Sequence, residues 1–558
     1  MTVLPAAGPT PPADLYAAGV LSEALRALGM MDRESMSPTA GCCDRTFWAW
    51  KFVDAPAPRF QESLFTMAFL FAAPLPDAGY QGNPLLLEWI GRGLRFWSGL
   101  QHSDGSFDEA YPFERSLAAT AFTSFYVGEA LELVGRRLPA PTLDSARETL
   151  ARAGGWLTAN DETHGFLSNH LAAAAAALSH IYRQTGDSRF ESRGRYFVDR
   201  ILRRQSEEGW YDEYGGADPG YQSHGSFYLA RCWQFGRDER VLASLRRAAQ
   251  FLAHFVHADG SIGGEYTSRN TQTYYPAAYE ILATEDPASA WIAQTMRPSL
   301  TRGASAGLRG VDAFNYFPFL NNYAAAHLAC AGRAAPLAAA ADPTPETGVS
   351  WFPEAGLARV RTARYEAHVG GAKGGVIKVF DRRTRELTFS DCGYIGRLRN
   401  RRLVSTQYQD LRRATYVTDS SIEIDGELME CSRPTMTPAR FVAFRVFTLT
   451  AGRLPRLARW LKAQLVRTLI YRRRPIRVRF ARRIEFTEQR VRVVDRLTGP
   501  DARELAELRW SARFTTIHMG SSRYFVHHEL TPIGPDVPVD PSSIAGGLEL
   551  ERSVDVGD

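Results

Sequence analysis

Residues 44–331 repeat one pattern at intervals of about fifty residues, as stacked helical hairpins do. In DGSFDEAYPFERSLAATAFTSFYVGEAL (104–131), EGWYDEYGGADPGYQSHGSFYLARCW (208–233) and DGSIGGEYTSRNTQTYYPAAYEIL (259–282), an acidic-Gly start leads into a Tyr- or Glu-rich loop and then an apolar helix. Less regular copies lie at 44–71, 161–182 and 310–331. The sequence therefore predicts a series of related hairpins.

A second kind of helix precedes the repeated loops. ARETLARAGGWL (146–157), RYFVDRILRRQ (195–205) and LRRAAQFLAHFV (245–256) place apolar residues three and four apart, with Arg or Glu on the opposite side. The helices that follow the loops are apolar almost all round, which indicates burial on every side. Alternating outer and buried helices predict an α/α toroid of about six helical hairpins. A straight solenoid is the alternative.

The second part of the chain changes to a two-residue period, which is typical of antiparallel strands. We predict an α+β multidomain protein, with the toroid domain over 1–344 and an antiparallel β-sandwich over 345–558. Within the first domain, 1–14 is expected to be a disordered lead and 331–345 a linker. The predicted strands include ARVRTARYEAHV, GGVIKVFD, ELTFSDCGYI, SSIEIDGEL, RFVAFRVFTLT, IRVRFARRIEF and QRVRVVDRLTG.

Composition excludes some classes of protein. An apolar fraction of 45% with 23% charged residues is that of a globular protein rather than a disordered one. No uncharged apolar run is long enough for a membrane span, and the N-terminus does not have the pattern of a secretory signal. The six cysteines fit neither a metal site nor a disulfide framework. We therefore expect a cytoplasmic protein without metal or cofactor.

One strongly basic segment lies inside the predicted sheet domain. Residues 453–483 contain eleven Arg and one Lys and no acidic residue, and ARWLKAQLVRTLIY within it has the spacing of an amphipathic helix. Three interpretations are open: a solvated face, a contact for an anionic polymer, or contact with a membrane surface. Nucleic acid is not an expected partner, because no nucleic-acid-binding motif accompanies the segment. The candidate anionic-partner residues are Arg472, Arg473 and Arg474.

In a toroid, the loops that lead into the inner helices open at the same end, where a concave polar cleft is the usual place for a ligand. The repeats place six polar residues at similar levels around that cleft: Glu62, Glu109, Asn169, Tyr221, Gln272 and Asn315. Other candidate substrate-binding residues in the same loops are Tyr111, Arg115, Asp218, Gln222, Arg269, Tyr274 and Tyr316.

Two short motifs offer chemistry. Asn169-His170 opens a helix, and Tyr221 and His224 lie three residues apart at the start of another. Helix capping and core packing explain such residues equally well. The chemical interpretation is proton removal beside a uronic acid carboxylate. An amide can stabilise the charge that builds up there, while a phenol or imidazole moves protons. The glycosidic bond then breaks by elimination.

The Asn-His pair at the start of a toroid helix, a tyrosine in the next hairpin's loop and a following β-sandwich resemble the heparinase II/III-like family of polysaccharide lyases. The resemblance implies that Asn169 neutralises the substrate carboxylate, that Tyr221 is the Brønsted acid or base and that His170 assists. It also implies an anionic polysaccharide or oligosaccharide as the partner. The chain departs from the family in the sheet domain, where HVGGAKGGVIKVFD offers only His368.

Two rival functions fit the same sequence. A glycoside hydrolase would need two carboxylates across the cleft. Candidates are Glu109, Glu114, Asp212, Glu213 and Asp218. A non-catalytic protein that holds a glycan during assembly would use the aromatic side chains of the loops and the basic segment.

Overall fold

The computed structural model describes residues 12–75, 78–162, 165–431, 435–469, 474–517, 520–531, 533 and 536–556. Of the predicted disordered lead, residues 1–11 lie outside the described residues, whereas Pro12 to Asp14 already belong to the first helix. That part of the prediction is wrong, because helix α1 begins at Pro12, a residue favoured in a first helical turn.

In the described part of the chain, twelve α-helices precede the sheets and alternate between two layers. The outer helices are α1 (Pro12–Gly29), α3 (Pro84–Gly99), α5 (Ala140–Ala159), α7 (Ser188–Arg204), α9 (Glu239–Ala253) and α11 (Pro287–Arg302). The inner helices are α2 (Ser63–Ala72), α4 (Leu117–Val134), α6 (Ser168–Thr185), α8 (Pro219–Gly236), α10 (Ala277–Leu282) and α12 (Ala313–Ala331). Each inner helix contacts the next, and α12 contacts α2. The ring closes, so the α/α toroid is confirmed and the straight solenoid is wrong.

Side-chain size explains the two layers. The six consecutive alanines at 172–177 are all fully buried, because small residues let α6 pack closely against its neighbours in the ring. Outer helix α7 buries only one face, which includes Phe190, Phe197 and Ile201, and leaves Arg195 and Arg203 exposed. One described helical segment, Leu117–Arg137, is long and apolar enough to cross a membrane, but 89% of it is buried inside the protein.

Two antiparallel sheets follow the ring. The first has five strands in chain order: β1 (Gly348–Phe352), β2 (Leu357–Arg361), β3 (Tyr365–Gly370), β4 (Val376–Asp381) and β5 (Leu387–Asp391). The second contains β6 (Tyr394–Leu398), β7 (Leu403–Ser405), β8 (Thr415–Val417), β9 (Ser421–Glu430), β10 (Pro475–Phe486), β11 (Arg490–Thr498), β12 (Leu505–Trp510), β13 (Val537–Val539) and β14 (Leu548–Asp555). Its order is β13-β12-β6-β7-β9-β10-β11-β14, with β8 paired to β9. The predicted β-sandwich is confirmed.

Two helices interrupt the second sheet between β9 and β10: α13 (Pro438–Leu449) and α14 (Pro455–Leu469). Helix α14 is the amphipathic helix predicted in the basic segment. Helix α13 corrects the prediction of a strand at RFVAFRVFTLT. Thr437 caps its N-terminus by accepting a hydrogen bond from the Arg440 amide, and Pro438 occupies the first turn. A short apolar run rich in Val and Phe does not by itself distinguish a strand from a helix.

The ring and the sheets share a buried apolar cluster. Trp210, Phe255 and Tyr266 from the ring loops pack with Leu357 and Val376 from the first sheet. This contact fixes the sheet domain over one end of the ring.

Candidate active site at the mouth of the ring

Helices α6 and α8 meet at their N-terminal turns. A β-carbon built on Gly225 would lie 3.4 Å from the Asn169 Cα atom, so the two helices are in van der Waals contact at this point. Tyr221 lies one helical turn before Gly225 and hence on the same face of α8. The structure therefore brings Asn169 and Tyr221, which are far apart in sequence, onto adjoining helix ends.

The Asn169 side chain is held against a buried carboxyl group. Glu213 accepts hydrogen bonds from the Asn169 backbone N–H at 2.8 Å and from its Nδ2 at 3.2 Å. Burial raises the pKa of Glu213 well above its ordinary value. Asn169 Oδ1 is buried and has no hydrogen-bond partner among the described residues. A half-turn of the Asn169 side-chain amide exchanges the positions of Oδ1 and Nδ2. A protonated Glu213 can then donate to Oδ1 and leave Nδ2 free.

Two histidines flank Phe122 near this pair. His170 meets the Phe122 ring edge-on at 5.6 Å, and its Nδ1 lies 2.7 Å from Glu162 Oε2. His224 stacks on Tyr275 at 4.2 Å, and its Nε2 lies 2.9 Å from the Tyr228 hydroxyl. Burial lowers the pKa of His224 to about 3, and repulsion from nearby cations adds to this effect. His224 is therefore neutral near pH 7.

An arginine links the first two repeats across the same cleft. Arg59 forms ion pairs with Glu62 and, at 3.0 Å, with Glu109, and its guanidinium lies 4.4 Å from the centre of the Phe122 ring. Burial raises the pKa of Glu62 to about 6, despite the opposing effect of Arg59. Burial also acts to raise the pKa of Glu109, but Arg59 and His170 outweigh it and the pKa falls below its ordinary value.

A loop of the sheet domain reaches over the ring to Tyr221. Ser522 Oγ donates a hydrogen bond of 2.9 Å to the Tyr221 hydroxyl oxygen. Ser521 accepts one of 3.3 Å from Asn315 Nδ2 at its backbone carbonyl. Tyr524 donates one of 3.1 Å to Asp312. The predicted residues Tyr221 and Asn315 thus lie where the two domains meet.

Arg269 lies close to this site. Its guanidinium lies 4.4 Å from the centre of the Tyr214 ring, and its backbone N–H donates to Asp218. Arg269 Nε is buried without a hydrogen-bond partner in the described part of the chain. Tyr214 itself adopts a left-handed backbone conformation, with φ of 58°. A tyrosine in this conformation carries some backbone strain.

Other predicted site residues do not line the cleft. Gln222 bonds the Ala248 carbonyl, and Tyr316 donates to the Glu23 carbonyl beside α1. Tyr274 is fully buried and stacks on Tyr279. The assignment of Gln222, Tyr274 and Tyr316 to substrate binding is corrected, because their side chains are enclosed by protein.

Asp218 and Gln272 are also buried. Asp218 accepts hydrogen bonds from the backbone N–H groups of Tyr221 and Arg269, so it fixes both residues rather than contacting a ligand. Of the other carboxylates proposed for hydrolysis, Asp212 accepts a hydrogen bond from the Gly215 N–H and lies 3.5 Å from Arg204.

Tyr111 and Arg115 contact the helical insertion rather than the centre of the ring. The Tyr111 ring lies 5.0 Å from Phe444, and Arg115 donates to the Arg453 carbonyl. The insertion and the ring loops enclose a groove of about 390 Å³. Glu162, the partner of His170, lines this groove, which therefore leads toward the catalytic candidates. Other lining residues are Glu114, Trp156, Arg459 and Lys462.

Of the predicted anionic-partner residues, Arg472 and Arg473 lie outside the described residues. Arg474 Nη1 is 3.5 Å from Glu430 Oε2. His368 on β3 is fully buried beside His257 at 4.4 Å between ring centres, so it cannot touch a ligand. Within the described ranges, no group of three or more His, Cys, Asp or Glu residues is arranged to hold a metal ion.

Sequence reasoning missed three residues of the site. Arg59 could have been found, since it lies three residues before Glu62 in the first repeat. Glu213 was considered only as a hydrolase carboxylate, and no local signal marks it as the partner of Asn169. Ser522 comes from a loop 301 residues away from Tyr221, and nothing in the sequence connects the two.

The fold is shared with solved polysaccharide lyases. A Streptomyces coelicolor A3 chondroitin AC lyase in complex with chondroitin sulphate matches 91% of this chain and 69% of its own, with a TM-score of 0.55 and 13% identity. A Paenibacillus xanthan lyase matches 90% of this chain with a TM-score of 0.54 and 10% identity, and the match spans 47% of that longer protein. Heparinase III matches 91% of this chain and 73% of its own, with a TM-score of 0.50 and 10% identity.

The chain therefore has the polysaccharide lyase fold, an α/α toroid followed by antiparallel sheets, as the resemblance predicted. No protein-family model and no curated protein sequence matches it.

Proposed function

We propose that the protein is a polysaccharide lyase that cleaves a uronate-containing anionic glycan by β-elimination. The observation that carries the proposal is the junction of α6 and α8, where the Asn169 amide is fixed by Glu213 and the Tyr221 phenol lies on the adjoining turn. An amide beside a phenol at the mouth of a cleft supplies the two groups that this elimination needs.

Asn169 is the residue that stabilises the developing charge. Loss of the proton from the carbon beside the uronate carboxylate spreads negative charge onto that carboxylate. The Asn169 Nδ2 group carries two hydrogens, and Glu213 accepts only one of them. The amide is held in place before the substrate arrives, which is the condition for strong electrostatic stabilisation.

Tyr221 is the residue that moves the proton. Its oxygen accepts the Ser522 hydrogen bond, so that contact does not use the phenolic hydrogen. Tyr221 acts as a phenolate, formed when the phenol passes its hydrogen to solvent. In the elimination this phenolate takes the proton from the ring carbon, a double bond forms between the two ring carbons, and the glycosidic carbon–oxygen bond breaks. The leaving oxygen takes up a proton, and Tyr221 can return it on the same face. His170 and His224 assist from either side of Phe122.

One arginine at this position, Arg269, supports an anionic substrate. Arg269 stacks on Tyr214 and has a buried Nε without a partner among the described residues, so it has hydrogen-bonding capacity left for a carboxylate or sulfate. Arg59 is already neutralised by Glu62 and Glu109, and it shapes the cleft rather than attracting charge.

Product analysis tests the proposal. The full chain is incubated with a panel of uronate-containing polysaccharides, and a lyase releases an unsaturated product that absorbs in the ultraviolet. Tyr221→Phe should lower turnover by roughly 10²–10⁴-fold, the usual contribution of a general acid or base. Tyr274→Phe is the matched control, because this buried hydroxyl has no hydrogen-bond partner in the described structure. Full turnover by Tyr221→Phe would sink the assignment of Tyr221.

Glycoside hydrolysis is the second candidate, because one observation favours it. Glu62 and Glu109 share Arg59 while their pKa values are pushed in opposite directions, as in an acid and base pair. Glu62 is fully buried, however, which keeps it from a substrate. Reducing sugar without an unsaturated product, abolished by Glu109→Gln, would favour hydrolysis. Binding without either product would favour a glycan-holding protein.

A further inference from the structure

The helical insertion carries an exposed surface that the proposed reaction does not use. Helix α13 exposes Phe441, Val442 (61% exposed) and Val446, and the α14 side exposes Leu454 and Trp460 (55% exposed). Large apolar side chains gathered on one surface mark a contact site rather than ordinary solvent exposure. We call residues 435–469 the hairpin.

A second, distant part of the chain adds to this surface. Arg445 of α13 pairs with Asp54 at 3.0 Å, which brings the loop at 50–54 beside the hairpin. In that loop Trp50 and Phe52 stack on each other at 6.4 Å, and both are largely exposed. Tryptophan and phenylalanine beside basic residues are typical of surfaces that insert into the lipid headgroup region.

The net charge of the surface is positive. The sequence contains no Asp or Glu between Glu430 and Glu485, while the hairpin itself carries six Arg and one Lys. Two of these cations are used within the protein, since Arg445 pairs with Asp54 and Lys462 pairs with Glu114 at 3.0 Å. Arg440 and Arg456 remain exposed beside the apolar side chains. An occupant must therefore accept apolar side chains and also be negatively charged.

We propose that the hairpin and the loop at 50–54 form a docking surface for an anionic lipid membrane. Lipid headgroups offer negative charge and the acyl boundary offers an apolar layer, so one surface satisfies both requirements. A soluble anionic polysaccharide would meet the charge but leave the Phe and Val side chains in water. A second copy of the chain would set like charges against each other. Because the ring mouth borders the hairpin through Tyr111 and Phe444, docking places the cleft close to the membrane.

Vesicle co-sedimentation tests the surface. The full chain should bind vesicles of phosphatidylcholine mixed with phosphatidylglycerol and not vesicles of phosphatidylcholine alone, and binding should weaken as salt rises. Phe441→Ser combined with Trp460→Ser should abolish binding, since both remove apolar contact. Arg440→Gln combined with Arg456→Gln should weaken it by about tenfold or more.

Matched controls come from other surfaces. Leu25→Ser removes an exposed apolar residue of α1, and Arg136→Gln with Arg137→Gln removes two exposed cations between α4 and α5. Both should bind as the parent does. The proposal is overturned if the parent ignores anionic vesicles or if the hairpin variants bind them normally. It is also overturned if the apolar variant converts a dimer into a monomer. Cleavage of soluble substrate should be unchanged in the hairpin variants, which separates this test from that of the proposed function.

Discussion

The ring mouth and the second sheet each bury a cluster of charged and polar residues, but they satisfy it differently. In the sheet, Arg482 bonds Asp495 at 2.7 Å and Asp391 at 3.2 Å, Arg552 contacts both carboxylates, and Tyr394 donates to Asp495. The carboxylates and guanidinium groups there pair with one another.

At the ring mouth, hydrogen-bonding capacity is left over. Asn169 Oδ1 and Arg269 Nε are both buried without a hydrogen-bond partner in the described ranges. Leaving a buried polar atom unpaired costs stability, so a native protein keeps such atoms mainly where a ligand or water completes them. The comparison separates a cluster that holds the fold from one that is prepared for a ligand.

The largest expected effect is on stability, in the sheet. Arg482→Ala leaves the two buried carboxylates with Arg552 as their one remaining cation in the described cluster and should lower the free energy of unfolding by about 3–5 kcal/mol. Arg483→Ala is the control, since the Arg483 side chain is 53% exposed and its ion pairs are screened by water. Urea denaturation measures both. Equal, small losses would mean that the buried cluster does not stabilise the sheet.

Next in size is an effect on turnover, at the ring mouth. Asn169→Ala should lower kcat by roughly 10²–10³-fold, the usual result of removing one stabilising donor, while unfolding changes little. Asn83→Ala provides the reverse pattern, because it removes the N-cap of α3 and should cost about 1 kcal/mol of stability with no loss of turnover. If Asn169→Ala instead lowers the free energy of unfolding while the folded protein keeps full specific activity, the ring-mouth cluster is structural.

A smaller effect concerns pH. The pKa of His224 is about 3 in the folded protein, against 6.5 for an unperturbed histidine, so the unfolded chain binds the proton first as pH falls. The contribution of neutral His224 to the free energy of unfolding is complete above pH 6.5. It is lost as the pH falls toward 3, by about 1.4 kcal/mol for each pH unit. The stability of His224→Gln should therefore fall less steeply than that of the parent over this window. Urea denaturation at each pH measures both proteins. If the unfolding free energies of the parent and of His224→Gln fell in parallel, His224 would not be buried and neutral.

The smallest expected effect tests the protonation of Glu213. Because burial raises the pKa of this carboxyl, the neutral amide in Glu213→Gln should replace it with less than a tenfold loss of turnover. Glu213→Ala removes both hydrogen bonds to Asn169 and should lower turnover strongly. A large loss in Glu213→Gln would show that the ring mouth needs a charged carboxylate there.

The ring was predictable because its signal is local. Loop residues and the 3.6-residue period recur in each hairpin, so the repeats at 104–131 and 208–233 identified inner helices α4 and α8. Helix α13 was not predictable, because an apolar run of Val and Phe suits a strand as well as a helix. The same limit applies to side chains: Tyr221 and Tyr316 follow similar loops, yet one faces the cleft and the other packs beside α1.

By itself, the sequence determined the alternation of helices, the change to strands and the residue types available for chemistry, since each depends on periodicity within a short window. Only the tertiary structure decided that α12 meets α2, that Glu213 holds Asn169 and that Ser522 reaches Tyr221. Those contacts join residues tens to hundreds of positions apart, and their geometry is set by how the whole chain packs.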